Sequence, residues 1–554
     1  MAQPNTFSPD TVYFNGQVVT MDESKPQAEA VATKWDRIAS VGSNQAILKL
    51  AGPSTEKVDL AGKTLLPGFI EPHNHFANAG ITALFFLNLQ SPPLGPVTKI
   101  KELVEVLREK ASRTPQGEWI CGRGYDDTLL SEQRHPTRED LDTVSQESPV
   151  WIVHTSGHLS VANSKALEIS GITKATPQPP GGVIRIDPKT SQPDGVLEEM
   201  PAQMLVSRHI PSLTMEQRLE GLALAAQQYL QTGVTSSYDA GVVFPRGDRT
   251  EIVAYQKAIA QGILPIRITM MVGVNFLLSC GGDGPAFLTN FGDSRLRIGP
   301  AKIIVDGSIQ GYTGWLSRPY HVPFKGNTAY RGYPVTSPEQ LNPMVAKAHQ
   351  AGIQVAAHGN GDAAIGAILD AYRFAQKEFP RTDARHRIEH CQMAREDQLD
   401  AIVELGVSPS FFVSHTFYWG DRHKSMFIGP ERARRISPLK TACERRIKFS
   451  IHSDCPVTPV SPLFCVFAAV NRLTRNGEIL GPEYRLTVDE ALRAVTIDAA
   501  WQNFEEKLKG SIETGKLADF TILAGNPKKV APEKIKDIKV EQVIIGGRPA
   551  YSGI

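Results

Sequence analysis

Short apolar runs alternate with amphipathic helical patterns through most of the chain. Patterns such as "PEQLNPMVAKAHQAG" and "AREDQLDAIVELG" predict helices, each closed by a glycine. The apolar runs between them are short enough to be strands. Eight are found, at residues 64–73, 233–239, 265–274, 301–307, 352–359, 386–391, 407–415 and 448–454. Eight strands alternating with helices predict an α/β fold, a (β/α)₈ TIM barrel.

The two ends of the chain share a strand-like pattern that the middle lacks. "VYFNGQVVTM" alternates around an Asn-Gly turn, and "ADFTILAG" and "VEQVIIGGRPAYSG" near the other end look similar. We therefore predict a small β-sandwich made of residues 1–65 and 511–554. Residues 66–80 and 230–510 would form the barrel. Residues 81–229 carry their own strands and helices, which predicts an inserted α+β domain after barrel strand 1, covering the barrel mouth.

Charge and cysteine usage exclude several classes of protein. The 554 residues hold 59 Lys and Arg against 58 Asp and Glu, a net charge of +1, so we expect neither nucleic acid nor an anionic membrane as partner. Six scattered cysteines without a CxxC pair predict no disulfide framework and no zinc knuckle. The polar start "MAQPNTFSPDT" lacks the apolar core of a signal peptide, and no apolar run is long enough for a membrane span. We expect a cytoplasmic protein.

Candidate metal ligands occur at the carboxyl ends of the predicted barrel strands, where such barrels build their active sites. The set is His73 and His75 on strand one, Lys302 on strand four, His358 on strand five, His390 on strand six and Asp454 on strand eight. The period-2 spacing of the first pair puts both imidazoles on one face. Imidazole and carboxylate are ligands of hydrolytic zinc and similar ions. Each residue alone has a structural alternative, but their convergence favours a divalent metal, with zinc expected. His452 shares the parity of Asp454 and is not assigned as a ligand.

Several longer motifs occur together in one order: "LLPGFIEPHNH", "GRGYDD", "SGHLSVANSKAL", "AKIIVDGSIQGYTGWL", "AAHGNGDAAI", "RIEHCQ", "SHTFYWGDRH", "IHSDCPVTP" and "GSIETGKLADF". Through them nearly the whole chain resembles the metal-dependent amidohydrolase superfamily. Within it, the chain is most similar to the amidohydrolase 3 group, with its YtcJ-like and N-substituted formamide deformylase-like members. Many members carry an Asp shortly before the paired histidines, where this chain has "EPHNH".

The resemblance implies a division of the ligands between two ions. His73 and His75 would bind the more buried ion together with Asp454. Lys302 occupies the place of a carboxylated lysine that bridges the two metals, and His358 and His390 would hold the second ion. The resemblance also implies a homodimer.

Charge alone gives a reason to expect a modified Lys302. A bare ammonium would repel a divalent cation, whereas carboxylation turns the side chain into an anionic oxygen donor. The alternative is a lysine beside the site that pairs with an acid or contacts substrate. That alternative leaves a single ion, so we expect one or two per chain.

The predicted function is that of a metal-dependent amidohydrolase acting on carbon–nitrogen bonds other than peptide bonds. A metal-bound hydroxide would attack a non-ring amide of a small molecule, with Asp454 as general base and then acid. One alternative is hydrolysis of a cyclic amide or an ester at the same site. The other is a non-catalytic barrel scaffold, which is disfavoured because every expected ligand is present.

Further residues are predicted to contact the substrate. His415, on a loop after strand seven, is a candidate catalytic contact to the reacting carbonyl. The candidate substrate-binding residues are His158 in the inserted domain, Tyr312, Trp315 and Trp419. Loop packing or a structural hydrogen bond is the alternative for each. For Glu199, a charge in the first turn of a helix is favoured over a side chain that points into the site.

Overall fold

The computed structural model describes residues 8–244, 249–279 and 288–553, so the predicted N-terminal residues 1–7 and Cys280 lie outside it. Eight parallel strands pair in sequence order and form the central sheet. They are β1 (Phe69–Asn74), β2 (Val234–Val242), β3 (Arg267–Gly273), β4 (Leu296–Ile304), β5 (Val355–Gly359), β6 (Arg387–His390), β7 (Ser408–Phe411) and β8 (Ser450–Ile451). Each overlaps one of the predicted strands, which confirms the barrel.

The prediction that residues 64–73 form one strand is wrong. Thr64–Pro67 is a strand of another sheet, antiparallel to Phe520–Leu523, and β1 begins only at Phe69. Gly68 lies at the break, where an added Cβ would be 2.2 Å from the Thr235 side chain. The chain can therefore change sheets at this point only with glycine, because any larger residue would collide with β2.

A side-chain hydrogen bond links the segment after β8 to β1, and a backbone hydrogen bond ties β1 to the end of the helix Val488–Ala494. Ser453 N donates to Glu71 Oε1 at 3.0 Å, and the amide of Ile70 on β1 donates to Val495 O at 2.9 Å. Burial raises the pKa of Glu71 to about 8. Glu71 is the acid of the "EPHNH" stretch, so this departure from the family pattern has a structural role in the barrel wall.

Helices surround the barrel and fill its loops. Those of the barrel layer are Phe76–Phe85, Met215–Gln231, Thr250–Ala260, Val274–Ser279, Pro338–Gln350, Asp362–Glu378, Glu396–Glu404, Pro462–Asn471, Val488–Ala494 and Ile497–Gln502. The loop after β7 carries His415–Tyr418, Gly420–Arg422, a π-helical turn at His423–Phe427, Gly429–Arg434 and Leu439–Glu444. Short 3₁₀ turns occur at Pro482–Tyr484 and Pro532–Asp537. No helix of the described residues is both long and apolar enough to cross a bilayer.

Both ends of the chain form the predicted terminal β-structure, as two sheets. A four-stranded sheet contains Arg37–Gly42, Ala30–Lys34, Thr11–Phe14 and Glu56–Asp59, with the short helix Asn44–Leu48 beside it. A six-stranded sheet contains Arg548–Ser552, Val540–Ile545, Phe520–Leu523, Thr64–Pro67, Gln17–Val19 and Gln27–Ala28. A hydrophobic cluster that includes Tyr13, Leu65 and Phe520 packs between them. The strands on either side of Asn15 and Gly16 lie in different sheets, so this Asn-Gly turn does not join two paired strands.

A third sheet lies within the segment that follows β1. Its strands are Val183–Ile186, Pro193–Glu198, Leu159–Ala162, Val150–His154, Ile120–Tyr125 and Leu87–Asn88. Helices Ile100–Ala111, Arg138–Asp142, Ser164–Ile169 and Glu199–Ser207 accompany it. The sheet has its own apolar clusters, around Leu103 and Ile152 on one side and Leu197 and Val206 on the other. The exact domain limits given above remain a prediction.

At the amino-terminal ends of β5 and β6, two buried histidines form a hydrogen-bonded relay. Val355 N donates to Nδ1 of His386 at 3.0 Å, so the proton of the neutral His386 ring is on Nε2. That nitrogen lies 2.8 Å from Nδ1 of His349, whose Nε2 lies 2.7 Å from Phe379 O. Burial lowers the pKa of His349 and, more strongly, that of His386. The relay therefore requires both rings to be neutral.

Candidate metal centre

Three predicted ligands meet at the carboxyl end of β1. Nε2 of His73 and Nε2 of His75 lie 3.6 and 3.5 Å from the same atom, Oδ1 of Asp454. His73 has no exposed side-chain surface, whereas the side chain of His75 keeps 32% of its exposure, so the group opens to solvent on the His75 side. The three ligand atoms lie within 4.8 Å of one another.

The backbone holds these residues in specific positions. His75 follows the last residue of β1, and its amide donates to the carbonyl of Cys455 at 2.8 Å, next to Asp454. Asp454 and His390 both adopt left-handed conformations, with φ of 57° and 68°. Non-glycine residues are strained there and persist where the surroundings impose the geometry.

The left-handed turn at His390 explains how it faces the site. Successive residues of a strand point to opposite faces, and on β6 Arg387 and Glu389 share one face. A regular strand would therefore aim His390 away from Glu389. The turn brings its ring to 4.9 Å from the ring of His73 and 4.5 Å from that of His358, measured between centroids.

Glu389 orients His73. Its Oε2 accepts a short hydrogen bond from Nδ1 of His73, and its two oxygens also accept from Nε and Nη2 of Arg387 at 2.7 and 2.9 Å. With Nδ1 engaged, Nε2 of His73 is the nitrogen that faces Asp454 and Lys302. Glu389 was not among the predicted site residues, although its place next to a candidate ligand in "RIEH" was a usable signal, because ligand histidines usually donate their other nitrogen to a carboxylate.

His452 has a similar position behind His390. Its Nε2 lies 3.0 Å from Nδ1 of His390, and its Nδ1 lies 2.9 Å from Oγ of Ser410. His452 thereby engages Nδ1 of His390, so Nε2 of His390 is the nitrogen left to bind a metal. This agrees with leaving His452 out of the ligand set.

His358, at the end of β5, completes the second half of the centre. Nδ2 of Asn360 lies 3.2 Å from its Nε2, and its Nδ1 lies 3.3 Å from Oδ1 of Asp306 without a well-aligned hydrogen bond. Asp306 also accepts from the amides of Asn360 and Gly361 at 2.9 and 2.8 Å, and burial raises its pKa to about 7. Asp306 was missed, although it ends the predicted fourth strand.

Lys302 lies in the middle of the group. Its Nζ is 3.3 Å from Nε2 of His73, and the residue is 2% exposed. Burial lowers its pKa to about 8, against the opposing effect of Glu389 and Asp454. Lys302 makes no hydrogen bond or close ion pair with a carboxylate within the described ranges, and Glu389 and Asp454 act on it at longer range.

The charge states of the ligands fit a cation. Burial lowers the pKa of His75 to about 3 and holds the pKa values of His73, His358 and His390 well below the usual value, so these rings are neutral, the state in which an imidazole binds a metal. Burial raises the pKa of Asp454 to about 6, and its Oδ1 is buried without a hydrogen-bond partner. A buried carboxylate oxygen left unpaired between two imidazole nitrogens is the environment that a bound divalent ion would satisfy.

The inserted segment contributes His158 to the same place. Its ring lies 5.1 Å from that of His358, and its Nδ1 is 2.8 Å from Oε2 of Glu199. Glu199 is the first residue of its helix, as the sequence favoured, yet it is also buried and points at His158, with φ of 61°. Glu199 is thus in the first turn of its helix, as the sequence favoured, and its side chain also contacts His158.

The remaining predicted contacts lie one layer further out. His415 is stacked on Trp419 and joined through Nδ1 to Nε2 of His423 at 2.8 Å, and Phe412 separates it from the ring of His390. Trp419 Nε1 donates to Asp126 at 3.2 Å.

The aromatic residues after β4 are held by their own neighbours. Tyr312 stacks on Phe324 and packs against Tyr320 and Phe427. The amide of Trp315 donates to Asp306 at 2.9 Å, which ties this loop to the residue beside His358.

A second group with metal-ligand composition, Asp126, Asp127 and His154, does not have the same character. Asp126 already accepts from Arg422 at 2.7 Å. The amide of Ser156 lies 3.2 Å from Nδ1 of His154, which places the proton of the neutral ring on Nε2, facing Asp127 at 3.2 Å. This is a histidine–carboxylate contact, and it offers no free imidazole lone pair.

A barrel with a histidine and aspartate group at the carboxyl ends of its strands defines the class of metal-dependent hydrolases. The amidohydrolase family profile matches residues 56–551, and the chain belongs to that family. It is an enzyme of the hydrolase class that acts on carbon–nitrogen bonds other than peptide bonds.

Three similar proteins cover almost the whole chain. An N-substituted formamide deformylase of Arthrobacter pascens is 30% identical over 550 residues, 98% of each chain. The putative amidohydrolase YtcJ of Bacillus subtilis (strain 168) is 28% identical over 549 residues, 98% of this chain and 99% of YtcJ. The crystal structure of an uncharacterized metal-dependent hydrolase from Pyrococcus horikoshii OT3 aligns with a TM-score of 0.73 and 26% identity, over 94% of this chain and 99% of that one. These similarities confirm the family expected from the motifs.

Proposed function

We propose that the protein hydrolyses a non-ring amide of a small molecule, with N-substituted formamides as the first substrates to test. The observation that carries the proposal is the convergence of His73, His75 and Asp454 on one point, with Lys302 beside them. The similarity to a formamide deformylase supports the choice of an open amide. No feature of the site favours a cyclic amide or an ester.

His73, His75 and Asp454 would hold one ion, and His358 and His390 a second, with Lys302 between the two groups. Zinc fits the imidazole-rich ligand set. When bound, the metal polarises the amide carbonyl and supplies an activated water.

Lys302 would be carboxylated on Nζ. The neutral amine adds to the carbon of CO₂ and releases one proton, which gives a carbamate in place of an ammonium. The reason is the position of Nζ, since an ammonium 3.3 Å from a ligand nitrogen would oppose a divalent ion.

The protein groups around the centre have distinct parts in the reaction. Asp454 takes the proton of the attacking water and returns it to the leaving nitrogen, because its unpaired Oδ1 faces the ligand nitrogens. His158, held by Glu199, and His415, held by His423, are proposed to contact the substrate carbonyl side. Tyr312, Trp315 and Trp419 are proposed to wall the substrate pocket. The homodimer and the cytoplasmic location remain predictions.

The test combines metal content with hydrolysis. Wild type, Lys302→Ala and a control Lys509→Ala are purified without chelators, and their metal per chain is measured by elemental analysis. Lys509 is also buried, but its partner is Glu505, so the control removes a buried lysine elsewhere. Release of amine from N-substituted formamides is followed in parallel.

We expect about two ions per chain in wild type and Lys509→Ala, one or none in Lys302→Ala, and hydrolysis only where the metal is retained. Equal metal content in all three proteins would contradict the bridging role of Lys302. Metal-loaded wild type that hydrolyses no open amide would contradict the proposed reaction.

A further inference from the structure

Arg123 differs from the other buried or half-buried arginines near the barrel mouth. Arg185 pairs with Glu198, Arg387 pairs with Glu389, and Arg422 binds Asp126. Arg123 is half-buried on the inserted strand Ile120–Tyr125, yet over the described ranges its guanidinium makes no hydrogen bond and no close ion pair. No nitrogen of Arg123 is a buried atom without a partner among the described residues, so its guanidinium reaches solvent and its N–H donors are available to acceptors that a ligand brings.

The position of Arg123 points to the metal centre. Its charge acts on His75 and on Asp454, the two ligands on the more open side of the centre. Its Nη2 lies 3.2 Å from the point that a Cβ on Gly157 would occupy. Gly157 has φ of 78° and directly precedes His158, so the loop that carries His158 runs close over the guanidinium.

Asp454 does not serve as the ion-pair partner of Arg123. It makes no hydrogen bond with the guanidinium, and its Oδ1 faces His73 and His75. If Asp454 binds a metal, its negative charge is taken up there as well. Arg123 then has no carboxylate partner within the described ranges, and since burial lowers its pKa only to about 10, it stays protonated at neutral pH.

We propose that Arg123 is a substrate-binding residue that recognises a carboxylate or similar anion carried by the amide substrate. This inference rests on the proposed function and narrows its substrate class to N-acyl or N-formyl amines that bear an acidic group near the amide. The planar guanidinium matches a carboxylate with two parallel hydrogen bonds, which fixes orientation as well as charge. The inserted segment thus selects the substrate, while the barrel provides the chemistry.

A purely structural role is the competing explanation, in which Arg123 supports the loop at Gly157. The two roles differ in one respect. A structural arginine would affect all substrates alike when removed, whereas an anion-binding arginine would affect only substrates that carry the anion.

The experiment uses a matched pair of amides, N-formylphenylalanine and N-formyl-2-phenylethylamine, which differ only by the carboxylate. The corresponding N-acetyl pair extends the test to a second acyl group. Both are assayed with metal-loaded wild type, Arg123→Met, Arg123→Lys and the control Arg113→Met. Arg113 belongs to the same segment but is exposed, and it pairs with Glu109.

We expect wild type to favour the acid in kcat/KM. Arg123→Met should raise KM for the acid by about 10- to 100-fold, the range of one charge-assisted hydrogen-bonded contact, and leave the neutral amide unchanged. Arg123→Lys should recover part of the loss, and Arg113→Met should match wild type. Equal effects of Arg123→Met on both amides, or a wild-type preference for the neutral amide, would overturn the proposal.

Binding separates this inference from the proposed reaction. If no amide of either pair is hydrolysed, the open-amide reaction fails for these substrates, and isothermal titration with N-formylphenylalanine decides the role of Arg123. Binding to wild type that weakens at least tenfold in Arg123→Met supports anion recognition. Equal binding to both proteins, or binding to neither, refutes it.

Discussion

Replacing Glu389 by glutamine tests whether the site depends on residues behind the ligands. Glu389 is fully buried and joins two donors, Arg387 and Nδ1 of His73. Glutamine keeps the shape but has one acceptor oxygen, and its NH₂ group must face one of the two donors. Either Arg387 or His73 then loses its partner.

Two magnitudes follow from these contacts. Loss of the negative charge leaves Arg387 buried without its counter-charge, which costs about 3–5 kcal/mol of folding free energy. Loss of the carboxylate behind a ligand histidine typically weakens metal affinity by about 10- to 100-fold. That factor corresponds to about 1.4–2.8 kcal/mol of binding free energy.

The assay is metal titration against a competing chelator, together with chemical denaturation of the apo and loaded proteins. Glu505→Gln is the matched control, because Glu505 is equally buried and pairs with Lys509 and Arg297. We expect both variants to lose stability and only Glu389→Gln to lose metal affinity. If Glu389→Gln binds metal within twofold of wild type, Glu389 serves only Arg387, and the argument that it orients His73 is wrong.

Two further predictions concern stability. In the unfolded chain His386 is protonated below about pH 6.5, whereas the folded relay keeps it neutral. The free energy of unfolding therefore decreases as the pH is lowered below about 6.5, by up to about 1.4 kcal/mol per pH unit for this residue. Above that pH this residue has no effect. In denaturation curves at pH 5.5 and 7.5, His386→Asn should reduce the proton uptake on unfolding by about one, so the free energy of unfolding depends less on pH. An unchanged pH dependence would contradict the relay. Gly80→Ala would place a Cβ 1.8 Å from the carbonyl oxygen of Gly221, so we expect a loss of about 1–3 kcal/mol in denaturant titration. Gly366→Ala, whose Cβ would meet only the Gln398 side chain at 3.3 Å, should differ little from wild type, and equal losses in both variants would refute the close helix contact.

The pattern along the chain was sufficient to predict the barrel, because each strand and helix is recorded locally in the spacing of apolar residues. The terminal sheets followed from the same reasoning. The pattern failed at Gly68, since apolar residues continue across the break and only the proximity of Thr235 shows that the chain changes sheets. It failed again at Asn15 and Gly16, where a good turn sequence joins strands of two different sheets.

The ligand candidates could be found in the sequence because they are rare residue types at the ends of predicted strands, and a barrel brings strand ends together whatever their order. That reasoning placed all the candidate ligands on one rim of the barrel, whereas the grouping of His73, His75 and Asp454 around one ion was implied by the resemblance to the amidohydrolase family. The left-handed turn that brings His390 inward could not be predicted, because the spacing of apolar residues carries no information about φ at a single residue.

The supporting groups were decided by the tertiary structure alone. Glu389 lies 316 residues from His73 along the chain, and His158 lies in a turn of the inserted segment, whereas His358 is on β5 of the barrel. Arg123 is one arginine among many in the sequence, and nothing local marks it as lacking a partner. The sequence alone determined the strands and the chemistry at their ends, because those are local properties. Contacts between distant segments decide which side chains orient the ligands, which charges are paired and which stay unpaired. These contacts exist only in the folded chain.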